Sequence, residues 1–141
     1  MTPKFYEIFD QFPTVHEHSR VRYLQYHNSK TLRDILFFTF NPSVRFYRQD
    51  APPGYKPNIT DPVGLAPTTL YDEMRKVYLF VVGHPQSNGI KPRRRDELLL
   101  QFLEGLEAKE ANVFLKMMNK NLEVPGLDLN LVKQAFPQLP L

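Results

Sequence analysis

The residues best suited to bind a charged ligand in this sequence are basic, and they are densest in Lys91-Pro92-Arg93-Arg94-Arg95. We call Lys91, Arg93, Arg94 and Arg95 the basic cluster. It stands at the predicted start of a helix, where unbonded backbone N–H groups and the helix dipole favour an anion such as phosphate. A solvated basic turn has the same composition, so the sequence leaves both interpretations open.

A second group alternates basic and aromatic side chains inside a proline-rich stretch. Such alternation is found where proteins contact nucleic acids, and arginine with aromatic residues also forms the energetic centres of protein interfaces. A surface loop pinned to its domain has the same pattern. The sequence predicts a partner-binding segment made of Arg45, Phe46, Tyr47, Arg48 and Tyr55.

The remaining reactive residue types do not form a recognisable catalytic or metal-binding pattern. His16 and His18 are two residues apart, whereas a zinc-binding helix needs two histidines four apart; His27 and His84 also lack ligand spacing. The chain has no Cys, no phosphate-binding Gly-x-x-x-x-Gly-Lys-Ser/Thr loop and no Gly-x-Ser-x-Gly nucleophile turn. We therefore expect a protein that is not an enzyme, with no catalytic residue, no metal and no cofactor.

Helical spacing of apolar residues dominates the chain, and it predicts an all-α fold of about seven helices. Four helix starts carry N-capping signals, at Thr2-Pro3, Ser29, Thr69 and Asp128, and a capping box is predicted from Thr14 to Glu17. The predicted helices cover approximately residues 2–13, 14–28, 29–41, 69–83, 93–105, 108–118 and 128–137. The β-branched and aromatic run at 77–82 could instead be a strand, but the upstream cap favours helix.

Residues 41–67 differ from the rest because six of the 13 prolines lie there, which excludes helix interiors and central strands. Large apolar groups are spread through this loop, which is unusual for a flexible linker. We predict an ordered strap laid across the helices. The residues expected to pin it are Phe46, Tyr47, Tyr55, Ile59, Val63 and Leu65.

Composition limits the class of protein. A chain of 141 residues with 42% hydrophobic content is long enough for a single folded domain, 1–141. No apolar run approaches the ~20 residues of a membrane span, and the N-terminus lacks the apolar core of a signal peptide. We expect a cytoplasmic protein without a membrane partner. The net charge of +3 permits an anionic partner but predicts weak binding.

The arrangement of residues 29–42 and 98–137 resembles an uncharacterised family of small tailed-phage proteins. The C-terminal half is also similar to the N-terminal DNA-binding domain of ATP-dependent DNA ligases, especially those of T-even phages. The shared signs occur in the ligase order, with a small insertion before Leu122. They are Asp96-Glu97-Leu98-Leu99-Leu100, Phe114-Leu115-Lys116-Met117-Met118, Leu122-Glu123, Gly126 and Ala135-Phe136-Pro137.

This resemblance implies an all-helical module that holds double-stranded DNA from the minor-groove side through its sugar–phosphate backbone. It does not imply ligation, because no lysine here is followed by x-Asp-Gly, the motif that carries the adenylate. A phage origin would place the protein in the host cytoplasm. The DNA contacts that the resemblance implies are the basic cluster together with Lys116, Lys120 and Lys133.

Three functions follow from the sequence. The first is a sequence-nonspecific DNA-binding module, an accessory factor in phage DNA metabolism or host takeover. The second is a protein-interaction module that binds and redirects or inhibits a host protein, using the partner-binding segment. The third, a capsid or tail accessory protein, has no support beyond the suspected phage origin.

Overall fold

The computed structural model describes residues 3–59 and 65–141. Within them the chain forms seven α-helices and three 3-10 helices, with no β-sheet, which confirms the all-α prediction. The α-helices are α1 Phe5–Gln11, α2 Arg20–Tyr26, α3 Lys30–Phe40, α4 Leu70–Glu73, α5 Pro92–Glu104, α6 Ala108–Met118 and α7 Leu129–Ala135. The 3-10 helices are Phe12–Thr14, Glu17–Ser19 and Met74–Phe80.

Helix α6 is the centre of the fold, since it contacts α1, α3 and α5. Its apolar residues face several neighbours at once, and Phe114 lies with its ring centroid 4.3 Å from that of Phe102 in α5. The buried apolar side chains of all these helices form one core cluster. Among the residues that the structure describes, every helix is too short or too polar to cross a lipid bilayer.

Helix α7 packs on α2. Its start is capped as predicted, because the Asp128 carboxylate accepts a hydrogen bond from the Leu131 N–H at 2.8 Å. The turn before it needs Gly126, which has φ +84° and would bring a Cβ within 2.4 Å of Arg20 Nη1. The Arg20 guanidinium also donates to the carbonyls of Pro13 and Val15. Arg20 therefore lies between the segment before α2 and the turn before α7.

The predicted starts of the first two helices are wrong in detail. Helix α1 has its N-cap at Lys4, and Thr2 lies outside the described residues. No capping box forms from Thr14 to Glu17, because the Thr14 hydroxyl donates back to the Gln11 carbonyl of the preceding turn. His16 caps the next 3-10 helix instead, through Nδ1 and the His18 N–H. The cap prediction failed because Pro13 lies within a tight 3-10 turn, Phe12–Thr14, that uses the Thr14 hydroxyl.

The helix predicted from Thr69 changes type after one turn. Thr69 caps α4 as expected, but residues 74–80 are 3-10 helix, with three residues per turn. The buried residues therefore follow at Met74, Val77 and Phe80, and Tyr78 is only half-buried. Val81 then adopts extended backbone and forms an isolated antiparallel bridge with Phe46, so the strand alternative holds at that single residue.

The described parts of the proline-rich loop pack on the domain through some of the residues predicted to pin it. Phe46 is buried, Tyr55 is half-buried, and the Lys56 N–H donates to the Glu104 carboxylate at 3.0 Å. Two other residues expected to pin the strap do not do so, since Ile59 and Leu65 are 79% and 70% exposed. The predicted contact of Val63 lies outside the described residues.

Candidate nucleic-acid interface

The N-terminus of α5 is open. Lys91 is its N-cap in extended backbone, Pro92 occupies the first helical position, and no described side chain caps this end. Because the first intrahelical bond is from the Arg95 N–H to the Lys91 carbonyl, the N–H groups of Arg93 and Arg94 have no helical acceptor. The first turn contains no acidic residue, so its partial positive charge is not neutralised there.

Two arginines of the basic cluster extend into solvent beside this open end. The side chains of Arg93 and Arg94 are 94% and 57% exposed, and both lie near Glu97, at 3.8 and 3.2 Å. Exposed ion pairs of this kind contribute only about 0–1 kcal/mol each. A phosphate can therefore replace the Glu97 carboxylate at little energetic cost. Lys91 is also exposed and completes a group of three available cations.

Arg95 does not belong to that group, which corrects the sequence prediction. It is only 8% exposed, and its Nη2 donates to the carbonyls of Ser87 and Ile90 at 3.1 and 2.9 Å. Its side chain closes the loop that precedes α5. Helical spacing could have revealed this, because Arg95 lies one turn before Leu99 on the buried face.

Arg95 also joins the basic cluster to the strap. Its guanidinium carbon lies 3.5 Å from the centroid of the Tyr47 ring, a close cation–π contact. Arg48 makes a second link by approaching Asp96 at 3.6 Å and Asp50 at 3.3 Å. The structure thus brings the two groups of residues predicted separately, at 45–48 and 91–95, onto one surface.

The partner-binding segment is consequently held to the domain more tightly than predicted. Phe46 is only 4% exposed and cannot contact a partner without leaving the core. Tyr55 is half-buried, and its hydroxyl is a buried group with no hydrogen-bond partner among the described residues. Arg45 remains exposed, and Tyr47 keeps 39% of its surface accessible.

Two of the three lysines implied by the ligase resemblance are paired within the domain, and the third lies on α7. Lys120 is occupied, because its ammonium donates to the Asn41 carbonyl at 2.8 Å and to the Phe38 carbonyl; burial lowers its pKa. Lys116 pairs with Glu123 at 3.5 Å and lines a separate cavity against α1. Lys133 is exposed on α7, and the N-terminus of that helix is already capped by the Asp128 carboxylate.

A groove of about 430 Å³ lies where the strap meets the end of the 3-10 helix Met74–Phe80 and the end of α6. The sequence did not indicate Gln49, Val82 or Met118 as part of a site, because only the long-range pairing of Phe46 with Val81 brings them together. The groove is lined by Val44, Arg45, Phe46, Tyr47, Gln49, Val82, Met118 and Lys120.

Histidine and carboxylate side chains do not gather into a metal site in the described parts of the chain, where no group of three or more potential ligands occurs. His84 stacks on Tyr78 with ring centroids 4.4 Å apart, and its Nδ1 accepts from the Gln86 N–H. His16 and His84 thus bind backbone locally.

No curated protein and no solved structure matches the chain. A sequence family does match it, over residues 14–124, which include α2 to α6, the strap and the basic cluster. That span exceeds half of the chain and contains both halves of the surface described above. The chain therefore belongs to a family of unknown function, DUF6433.

Proposed function

We propose that this protein is a non-catalytic module that binds double-stranded DNA through its phosphate backbone without reading its sequence. The observation that carries the proposal is the open N-terminus of α5, where Lys91, Arg93 and Arg94 are exposed beside unbonded N–H groups. Positive side chains and helix N-terminal N–H groups together are the usual donors to DNA phosphates, and such contacts carry no base information.

The resemblance of the C-terminal half to the DNA-binding domain of phage DNA ligases supports the same conclusion, as does the all-α fold. With three available cations at this end and a net charge of +3, binding at physiological salt is expected in the micromolar range. So weak a module works beside a partner, which suits a phage accessory factor in DNA metabolism or host takeover, acting in the cytoplasm of the host.

The test is fluorescence anisotropy of a labelled duplex, titrated with the protein at about 50 and 200 mM salt, where counterion release dominates. We expect the logarithm of affinity to fall with the logarithm of salt concentration by about 0.9 per phosphate contacted. The double variant Arg93→Ala/Arg94→Ala should weaken binding to unrelated sequences alike and reduce that slope by about 1 per lost contact.

The matched control is Arg22→Ala/Arg75→Ala, which removes two exposed arginines outside the basic cluster and changes the net charge equally. If the control weakens binding as much as the cluster variant, the α5 N-terminus is not the contact. Affinity that does not depend on salt would contradict backbone binding altogether.

A protein-interaction module remains the second candidate. The observation in its favour is the exposure of three large apolar side chains, Tyr26 at 83%, Ile59 at 79% and Leu65 at 70%, none of which packs in the core. Exposed apolar residues of this size are common at protein interfaces. If no duplex binds at low salt, the search moves to a host or phage protein that covers them.

A further inference from the structure

The groove that Tyr47 lines is preformed by backbone pairing. Its two sides are the strap at residues 44–49 and the extended residues after the 3-10 helix Met74–Phe80. They are joined by hydrogen bonds from the Tyr47 N–H to the Phe80 carbonyl at 3.1 Å and from the Val82 N–H to the Arg45 carbonyl at 2.8 Å. Its volume of about 430 Å³ lies within the roughly 300–1,000 Å³ of small-ligand sites.

Tyr47 lies in this groove with one ring face already covered. The Arg95 guanidinium carbon occupies that face at 3.5 Å from the centroid, and 39% of Tyr47 remains exposed. Arg95 is itself held by hydrogen bonds to two carbonyls, so it supports the Tyr47 ring in a fixed position. A flat aromatic group that stacks on the exposed part of the ring need not first order the tyrosine.

The charges around the groove favour an anionic ligand. Its lining contains neither Asp nor Glu; of its two cations, Lys120 is bonded to backbone carbonyls, whereas Arg45 is exposed and makes no ion pair with any described residue. Gln49 also lines it, with its amide nitrogen bonded to the Phe46 carbonyl and its amide oxygen left as an acceptor for a base edge. Through Tyr47 the groove contacts Arg95, the buried member of the basic cluster.

We propose that this groove binds an unpaired nucleotide, whose base stacks on Tyr47 while its phosphate pairs with Arg45. Bases inside an intact duplex are stacked on each other and cannot reach the ring, whereas unpaired bases stack readily on aromatic side chains. The preferred substrate is then a duplex interrupted by unpaired nucleotides. This inference rests on the proposed function and specifies its substrate.

The experiment compares three labelled DNAs built on the same continuous strand. The first is an intact duplex, and the second has a short gap in the complementary strand, which leaves the facing bases unpaired. The third is the same gapped duplex with abasic sites in place of those unpaired bases. One stacked base is worth about 1–3 kcal/mol, or roughly 5- to 150-fold in affinity. The gapped duplex should bind tighter than both others by a factor in that range. The abasic control retains the flexible phosphates and lacks only the bases.

Variants then assign the preference to the groove. Tyr47→Ala should reduce affinity for the gapped duplex about fivefold or more, to that of the abasic control, and leave the intact duplex unchanged. Tyr47→Phe retains the ring and should preserve the preference. Val82→Glu places a carboxylate in the groove without touching the ring and should remove the preference as well. Tyr26→Ala, which removes an exposed tyrosine outside the groove, should have no effect.

Equal affinity for the gapped and abasic DNAs, or an unchanged preference in both Tyr47→Ala and Val82→Glu, overturns the inference. In that case salt-dependent binding of the intact duplex, lost in Arg93→Ala/Arg94→Ala, would leave the proposed function standing. If none of the three DNAs binds at low salt, the inference and the proposed function fail together. Melting temperatures of all variants show whether each one is folded.

Discussion

At the scale of single residues, Lys120 shows how a predicted ligand contact became a structural one. It follows the C-cap of α6 with φ +61°, a left-handed conformation that usually requires glycine. Its N–H donates to the Met117 carbonyl and the next N–H to the Lys116 carbonyl, the Schellman pattern of helix ends. A lysine occupies this position because its ammonium reaches the Phe38 and Asn41 carbonyls at the end of α3.

This arrangement predicts opposite contributions from backbone and side chain at Lys120. Lys120→Gly removes about 1 kcal/mol of left-handed strain but also two charged hydrogen bonds, worth about 1.5–3 kcal/mol each before the desolvation of the ammonium is subtracted. We expect a net loss of about 1 kcal/mol in the free energy of unfolding. Lys120→Ala keeps the strain and should lose about 1 kcal/mol more. Urea denaturation measures both variants.

If Lys120→Gly proves more stable than the original protein, the hydrogen bonds of the ammonium contribute less free energy than the left-handed strain costs. The contact of Lys120 with the end of α3 is then not stabilising overall. Equal stability of the glycine and alanine variants would mean that the left-handed conformation is not populated.

At the scale of elements, Phe46 is the largest buried side chain in the described parts of the strap. Phe46 lies in the core with its ring centroid 6.1 Å from that of Phe38. Its bridge with Val81 fixes how the strap pairs with the chain on the other side of the groove. Because the strap has no helix of its own between 41 and 59, removing this anchor should release its chain as well as leave a cavity.

We therefore expect Phe46→Ala to reduce the free energy of unfolding by about 3 kcal/mol or more and to open the strap to proteases. The measurements are urea denaturation and limited proteolysis with mapping of the cut sites. Ile59→Ala is the matched control within the strap, since an exposed side chain should change stability by less than about 0.5 kcal/mol. Cuts that appear equally in both variants would contradict the anchoring role of Phe46.

At the scale of the whole molecule, Glu110 couples the centre of the fold to its first helix. It lies on α6 at 2% exposure, and its Oε1 accepts from the Tyr6 N–H at 2.9 Å, across 104 residues of sequence. Its other oxygen is buried without a partner among the described residues. Burial is the main cause that raises the pKa of Glu110 from 4.5 to about 7, with Glu107 adding to it and Lys4 opposing it.

The raised pKa makes stability depend on pH. Since the folded state binds the proton more tightly than the unfolded state, the stabilisation is complete below pH 4.5 and is lost as the pH rises through about 7. The loss is on the order of 3 kcal/mol. Glu110→Gln keeps an acceptor oxygen for Tyr6 without an ionisable group, so its stability should not decline between pH 5 and 8.

Urea denaturation at pH 5 and pH 8 makes the comparison, with Glu17→Gln as a control for an exposed carboxylate. An equal decline in Glu110→Gln and in the original protein would assign the pH dependence to other groups.

The sequence by itself determined the features that depend on neighbouring residues. Apolar spacing placed the helices, and the caps at Ser29 and Asp128 form as predicted, because a side chain accepts from an N–H three residues ahead whatever surrounds it. The basic cluster was visible for the same reason, since its charge comes from consecutive residues.

Only the tertiary structure decided which of those charges are available. Helical spacing indicates that Arg95 faces inward, but only the fold shows that it meets Tyr47. Lys120 binds the end of α3 and Glu110 caps α1, each across a separation at which spacing carries no information. The groove exists because Phe46 pairs with Val81, although neither residue lies in a regular strand. A contact of this kind depends on packing between distant segments, so local periodicity cannot reveal it.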